Sequence, residues 1–199
     1  MNSNLKNIFL IGPSRAGKTT LANKLGKLGY NHLVMDAVIE TMTDCFPEAG
    51  IRHGNLESDE FKKFLISFCK NHFKYGLPYV IDLEVLDPEF AKGSLINEDE
   101  STAIYIGYPN LTPEEKLKQV REHDTKFDWT RNESDEDLKE TFRKHIEASK
   151  ILKEKALRNG YQFLDVSYNR EEVFNDFIIR STRENRFYRS DKSYDRYER

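Results

Sequence analysis

Cysteine, proline and tryptophan are scarce here: two, six and one in 199 residues. Two cysteines cannot build the dense disulfide framework of a small secreted domain. Cys45 and Cys69 sit inside apolar helical patterns, so both are expected to be reduced core residues of a cytoplasmic protein. Long apolar runs are missing as well. The opening "MNSNLKNIFLIG" is too short for a membrane span and lacks the basic start and small-residue cleavage site of a signal peptide. No membrane partner is expected. Nor is there an excess of charge of one sign, because 31 Lys and Arg against 34 Asp and Glu leave a net charge of -3. A surface given over to nucleic acid or anionic lipid is therefore not expected. Internal repeats and Gly/Ser-rich linkers are absent, which leaves one domain and a compositional shift only after Ile179, in "RSTRENRFYRSDKSYDRYER".

What the chain does have is aromatic bulk, 13 Phe and 10 Tyr, set in short apolar runs. Runs at 7–11, 31–35, 77–83, 102–106 and 161–166 are nearly continuous in apolar residues, as strands covered on both faces must be. Helical stripes separate them: Leu21, Leu25 and Leu28; Val38, Met42 and Phe46; Phe61, Phe64, Leu65, Phe68 and His72. Two helix starts are legible. "TPEE" at 112–115 offers a Thr112 cap, Pro113 at the first position and Glu115 closing a capping box. "NREE" at 169–172 repeats that logic with Asn169 and Glu172. A long helix from Ser134 to Asn159 ends at Gly160. Strands alternating with helices predict an α/β fold with a parallel sheet flanked by helices on both faces.

The strand at 7–11 runs into Gly12-Pro13-Ser14-Arg15-Ala16-Gly17-Lys18-Thr19, followed by Thr20. This fits G-x-x-x-x-G-K-[ST] at every fixed position, and it lies where the pattern requires, between a strand and an amphipathic helix. Glycines let successive backbone N–H groups turn inward around phosphate oxygens, and the helix N-terminus adds positive potential. Lys18 is then the residue for the β- and γ-phosphates, and the Thr19 hydroxyl the ligand for Mg²⁺. An Asp-x-x-Gly switch and an Asn-Lys-x-Asp guanine reader are both missing, which argues against a GTPase. The chain is also short for a motor ATPase.

On this phosphate loop the sequence resembles the small P-loop kinases, the group of adenylate kinase, shikimate kinase and related nucleoside and nucleotide kinases. The resemblance extends over most of residues 5–179, although only the loop is sharply diagnostic. It implies a P-loop NTPase fold with five parallel strands, a mobile acceptor region at about 37–75, a helical lid at about 112–137, and ATP with Mg²⁺ as ligands. After the third strand the chain lacks both the Asp-Gly-Phe-Pro-Arg string typical of adenylate kinase and the glycine-rich turn of shikimate kinase.

Candidate site residues follow from position. Asp36, in "HLVMDAVIE", ends the second strand; there it orients the acceptor hydroxyl, holds a metal-bound water, or caps the next helix, which Asp suits equally. Asp82, in "YVIDLE", closes the third strand as a Walker B carboxylate and is the expected metal partner of Thr19. Glu84 shares that role or is a loop carboxylate. In the polar loop 46–58, Arg52 and His53 are the candidates for acceptor recognition, Arg because its fork matches phosphate or carboxylate. In the lid, Arg121 and Arg131 are candidate catalytic cations, and Trp129 covers the nucleotide or anchors the segment. With little apolar surface of its own, that segment is expected to be mobile without ligand. Ser167 to Asn169 follow the fifth strand, where the group passes the adenine ring. The tail 180–199 mixes basic and aromatic residues, yet Glu184, Asp191, Asp195 and Glu198 dilute its charge, and a solvated terminus is expected. The expected function is transfer of the γ-phosphate of ATP to a nucleoside, nucleotide or hydroxylated metabolite. The alternative is a regulatory P-loop ATPase or a nucleic-acid end-modifying protein.

Overall fold

The computed structural model describes residues 5–126 and 128–183. Five parallel strands, β1 (Asn7–Ile11), β2 (Asn31–Val34), β3 (Tyr79–Leu83), β4 (Ser101–Gly107) and β5 (Gln162–Asp165), form one sheet in the order β2-β3-β1-β4-β5. Each expected strand is present, with ends shifted by no more than two residues. The helices are α1 (Lys18–Gly26), α2 (Met35–Cys45), α3 (Asp59–Phe73), the short α4 (Pro88–Phe90), α5 (Pro113–Arg121), α6 (Asp135–Arg158) and α7 (Arg170–Arg183). The tail beyond Arg183, with most of its basic and aromatic residues, lies outside the described residues.

Alternation along β1 explains why its run is apolar throughout. Ile8 and Leu10 face a core shared with Leu21 and Leu25 of α1 and Phe174 and Phe177 of α7. Phe9 and Ile11 face the opposite core, with Met35 and Ile39 of α2, Phe61, Leu65 and Cys69 of α3, and Leu152 and Ala156 of α6. A satellite cluster of Leu117, Val120, Leu138 and Phe142 joins α5 to α6.

Some local expectations change. Cys69 is buried and its thiol is pushed up to about 12 by burial, but Cys45 is exposed at the end of α2. The buried stripe of α2 is Met35 and Ile39, and Phe46 lies past the helix end with half its surface in solvent. Asp36 neither ends β2 nor caps α2. The helix begins one residue earlier, its N-cap is Val34, and Asp36 sits in the first turn, where a carboxylate complements the helix dipole. The Thr112–Glu115 capping box forms in both directions, at 3.2 and 2.7 Å, and Ser134 caps α6. Asn169 departs from the expected cap. Its φ of 53° is left-handed, whereas an N-cap is extended.

Candidate active site

Parallel register decides which residues meet. Asp82 pairs with Leu10 of β1 and with Val34 of β2, so the carboxyl ends of three strands converge where the phosphate loop begins. Such a strand-end crevice is where open parallel sheets bind ligands. The loop is packed hard against the sheet. A Cβ on Gly12 would lie 2.0 Å from the Ile106 carbonyl oxygen, and Gly17 has φ 90° with a Cβ position 2.8 Å from the Arg170 side chain. Neither place admits a side chain.

Lys18, 8% exposed, donates to the carbonyls of Gly12 at 3.0 Å and Pro13 at 3.2 Å. Its amine is also 3.8 Å from Asp82. The Thr19 hydroxyl donates to Asp82 Oδ2 at 2.8 Å, and His32 Nε2 approaches the same carboxylate at 3.7 Å. A hydroxyl and a carboxylate at hydrogen-bond distance form a hard-oxygen pair suited to Mg²⁺. Lys18, Thr19 and Asp82 are thus brought together as the sequence led one to expect.

Beneath the loop lies a brace that no motif announced. The Tyr108 hydroxyl donates to Ser14 O at 2.9 Å, and the Lys116 amine donates to Arg15 O at 2.9 Å. Together they hold two successive loop carbonyls in place. Since the Tyr108 proton goes to Ser14, His145, 3.2 Å away, gives its Nδ1–H to the Tyr108 oxygen. Burial, then the charges of Lys18 and Lys116, push His145 down to about 4, which keeps it neutral. Lys116 is 4% exposed and lies 4.0 Å from the Tyr108 ring centroid. Burial, followed by repulsion from Arg170 and Arg15, lowers its pKa to about 7.

The loop opens into a cleft of about 1040 Å³. Residues 14–20 line it, as do Asp36, His53, Asp82, Glu84, Lys116, Trp129, Ser167, Asn169 and Arg170. Burial raises the pKa of Asp36; Lys18 opposes this, while Glu84 and Asp82 add to it and His53 subtracts.

Arg52 is exposed and is not among the cleft-lining residues. Arg121 and Arg131 do not line it either. Arg121 spends its fork on Asp135 at 2.7 Å and on the carbonyls of Thr130 and Glu133, both at 2.8 Å. It clamps residues 121–135 to one another. Arg131 belongs to a 3₁₀ turn at Trp129–Asn132 and is exposed. Among the described residues, the lysines and arginines that do face the cleft from beyond the fixed motif positions are Arg15, Lys116 and Arg170. Arg15, at φ 61°, forms ion pairs with Asp124 at 2.8 Å and with Asp128. The segment expected to be a lid is therefore tied to the loop after β1 by charge. The loop pattern leaves Arg15 as an unspecified position, and Lys116 reads as one more solvated lysine in a charged helix, so neither carried a signal.

No protein-family model matches the sequence, and no curated protein matches it significantly. Solved structures do match. A shikimate kinase from Bacteroides thetaiotaomicron superposes with TM-score 0.57 at 16% identity, covering 89% of this chain and 99% of that one. The fold is that of the small P-loop kinases. An Acinetobacter baumannii shikimate kinase in complex with shikimate matches with TM-score 0.55 and 19% identity, over 91% of this chain and 94% of its own. A sugar kinase from a Janibacter species, unliganded, matches with TM-score 0.58 and 15% identity, over 88% and 93%. At such identities the likeness is one of fold. No helix among the described residues is long and apolar enough to cross a membrane.

Proposed function

We propose that the chain is a phosphotransferase that moves the γ-phosphate of ATP, bound with Mg²⁺, to a hydroxylated small molecule. The observation that carries this reading is the Lys18–Asp82–Thr19 constellation at the mouth of a phosphate loop, facing a cleft with a carboxylate, Asp36, among its lining residues. The shared fold supports it, since one neighbour holds shikimate, itself a small hydroxylated molecule.

In this reading the N–H groups of residues 14–19 cradle the phosphates, and Lys18 leaves the Gly12 and Pro13 carbonyls to meet them. Thr19 and Asp82 are the residues that would hold Mg²⁺, which when bound neutralises charge on the β- and γ-phosphates. Arg15, Lys116 and Arg170 add positive potential, the part first expected of Arg121 and Arg131. Asp36, whose burial raises its proton affinity, orients the acceptor hydroxyl and receives its proton. Trp129 and the segment Ser167–Asn169 flank the nucleoside. Residues 1–179 form the kinase domain of this proposal, with the lid at about 112–137 and the acceptor region at about 37–75.

The test is Lys18→Ala. Acceptor-dependent ADP release falls by about 10³-fold or more, the scale of losing a principal transition-state cation, while circular dichroism and the melting transition keep a folded protein. Undiminished turnover in folded Lys18→Ala protein removes the proposal.

A further inference from the structure

The cleft is divided by charge. Its lysines and arginines, Arg15, Lys18, Lys116 and Arg170, come from the phosphate loop, the start of α1, α5 and the start of α7. Among the described residues, the part of the lining assigned above to the acceptor has none. There α2 contributes Asp36 and, one turn later on the same helical face, Glu40. The loop after α2 contributes His53, and the turn after β3 contributes Glu84. Atoms of Asp36, His53 and Glu84 lie within 4.8 Å of one another, with His53 Nδ1 3.0 Å from Glu84. Arg52, the one residue there expected to match an anion, is outside the lining.

This distribution discriminates between acceptor classes. A carboxylate or phosphate on the acceptor would stand beside Asp36, Glu40 and Glu84, and beside the phosphates of ATP as well, with like charges facing one another. His53 faces Glu84 and Lys18 acts on Asp36, but a neutral polyol would leave Glu40, which forms no ion pair among the described residues, without a counter-charge. An ammonium group supplies one, and its three donors match acceptor-only oxygens. We propose that the acceptor is an amine-bearing alcohol of the amino-sugar or amino-alcohol class: its hydroxyl faces Asp36 and the phosphate loop, and its ammonium group is held by Glu40 and Glu84. This rests on the phosphotransferase reading above.

The experiment measures acceptor-stimulated ADP release by the full chain with ATP and Mg²⁺ near neutral pH, using triplets that differ mainly in charge. Glucosamine, glucose and glucuronate form one set. Ethanolamine, ethylene glycol and glycolate form a second, and kanamycin extends the amine class. In at least one set the amine member should exceed the neutral one by about tenfold or more in kcat/KM, and the anion should give nothing above background. Glu40→Lys, on an exposed helix face, should lower kcat/KM for the amine by about tenfold or more, mainly through KM, and raise that for the anion. Preference for an anionic acceptor overturns the assignment, and so does absence of stimulation by every amine. Turnover of anions that appears only with added Mn²⁺ also overturns it, because the carboxylates would then belong to a metal. ATP binding, measured by calorimetry in the same samples, separates the two claims. Without it the phosphotransferase reading fails; with it, a wrong charge preference sinks only the acceptor class.

Discussion

A lysine in a charged helix ordinarily snorkels its amine to water; Lys116 instead places it under the phosphate loop, on the Arg15 carbonyl. Its pKa of about 7 lies below the ordinary lysine value. The sign of the linkage follows. Phosphates arriving nearby favour the charged amine, so nucleotide binding raises this pKa and takes up protons above about pH 7. ATP affinity should therefore weaken as pH rises from about 7 to 9, with proton uptake visible by calorimetry in buffers of different ionisation enthalpy. Lys116→Met should lose both effects, and an unchanged proton count would refute the account. Gly12 makes a different prediction. The Cβ of Gly12→Ala meets a backbone oxygen that cannot rotate away, so the loop must shift, at about 1–3 kcal/mol, and ATP binding should fail before folding does. Of these residues, Gly12, Lys18 and Thr19 were legible because a fixed spacing encodes them, and Asp82 because a charge ending an apolar strand is costly without a partner. Lys116, Tyr108 and Glu40 were not, since their partners are distant in sequence or belong to a cleft wall that no local pattern describes.

The lid segment illustrates how an element's role depends on its contacts. The sequence suggested a stretch with little to bury and two arginines ready for phosphate. Instead Asp124, whose side chain is 6% exposed, gathers Arg15, Arg121 and the Thr130 hydroxyl. Asp128 takes Arg15 and Thr125; burial opposes ionisation of Asp128, but the Thr125 and Arg15 contacts prevail and hold its pKa below the usual carboxylate value. Asp124→Ala should speed amide exchange across residues 121–132 by at least about tenfold, while the middle of α6 stays protected. Equal protection would show that the charge knot does not hold the segment. At the start of α5, Thr112→Ala removes one side of a complete capping box and should cost about 1 kcal/mol in denaturant unfolding. That cap was legible because its partners are three residues apart. The start of α2 was misjudged by two residues: Asp36 is as good a cap as it is a first-turn residue, and only packing of Met35 into the core selects between them.

For the molecule as a whole, nucleotide binding should couple to global stability, because the loop follows β1, the central strand of the sheet, and Ala16 packs into one of its two cores. A ligand at 100 times its Kd adds about 2.7 kcal/mol, which for a chain of this size shifts Tm by about 5–10 °C. ATP with Mg²⁺ should produce such a shift, EDTA should reduce it, and Lys18→Ala should abolish it. By itself the sequence determined the α/β class, the strand runs and the phosphate loop. Apolar periodicity, capping and motif spacing are short-range properties that survive in a linear string. Tertiary structure alone decided which charges share the cleft. Parallel register set Asp82 beside Thr19, helix packing carried Lys116 under the loop, and ion pairs turned Arg121 away and Arg15 toward the lid. Those outcomes depend on through-space distance between residues up to about a hundred positions apart, and the energy of a charge is set by its neighbours and its access to water, which no local stretch of sequence specifies.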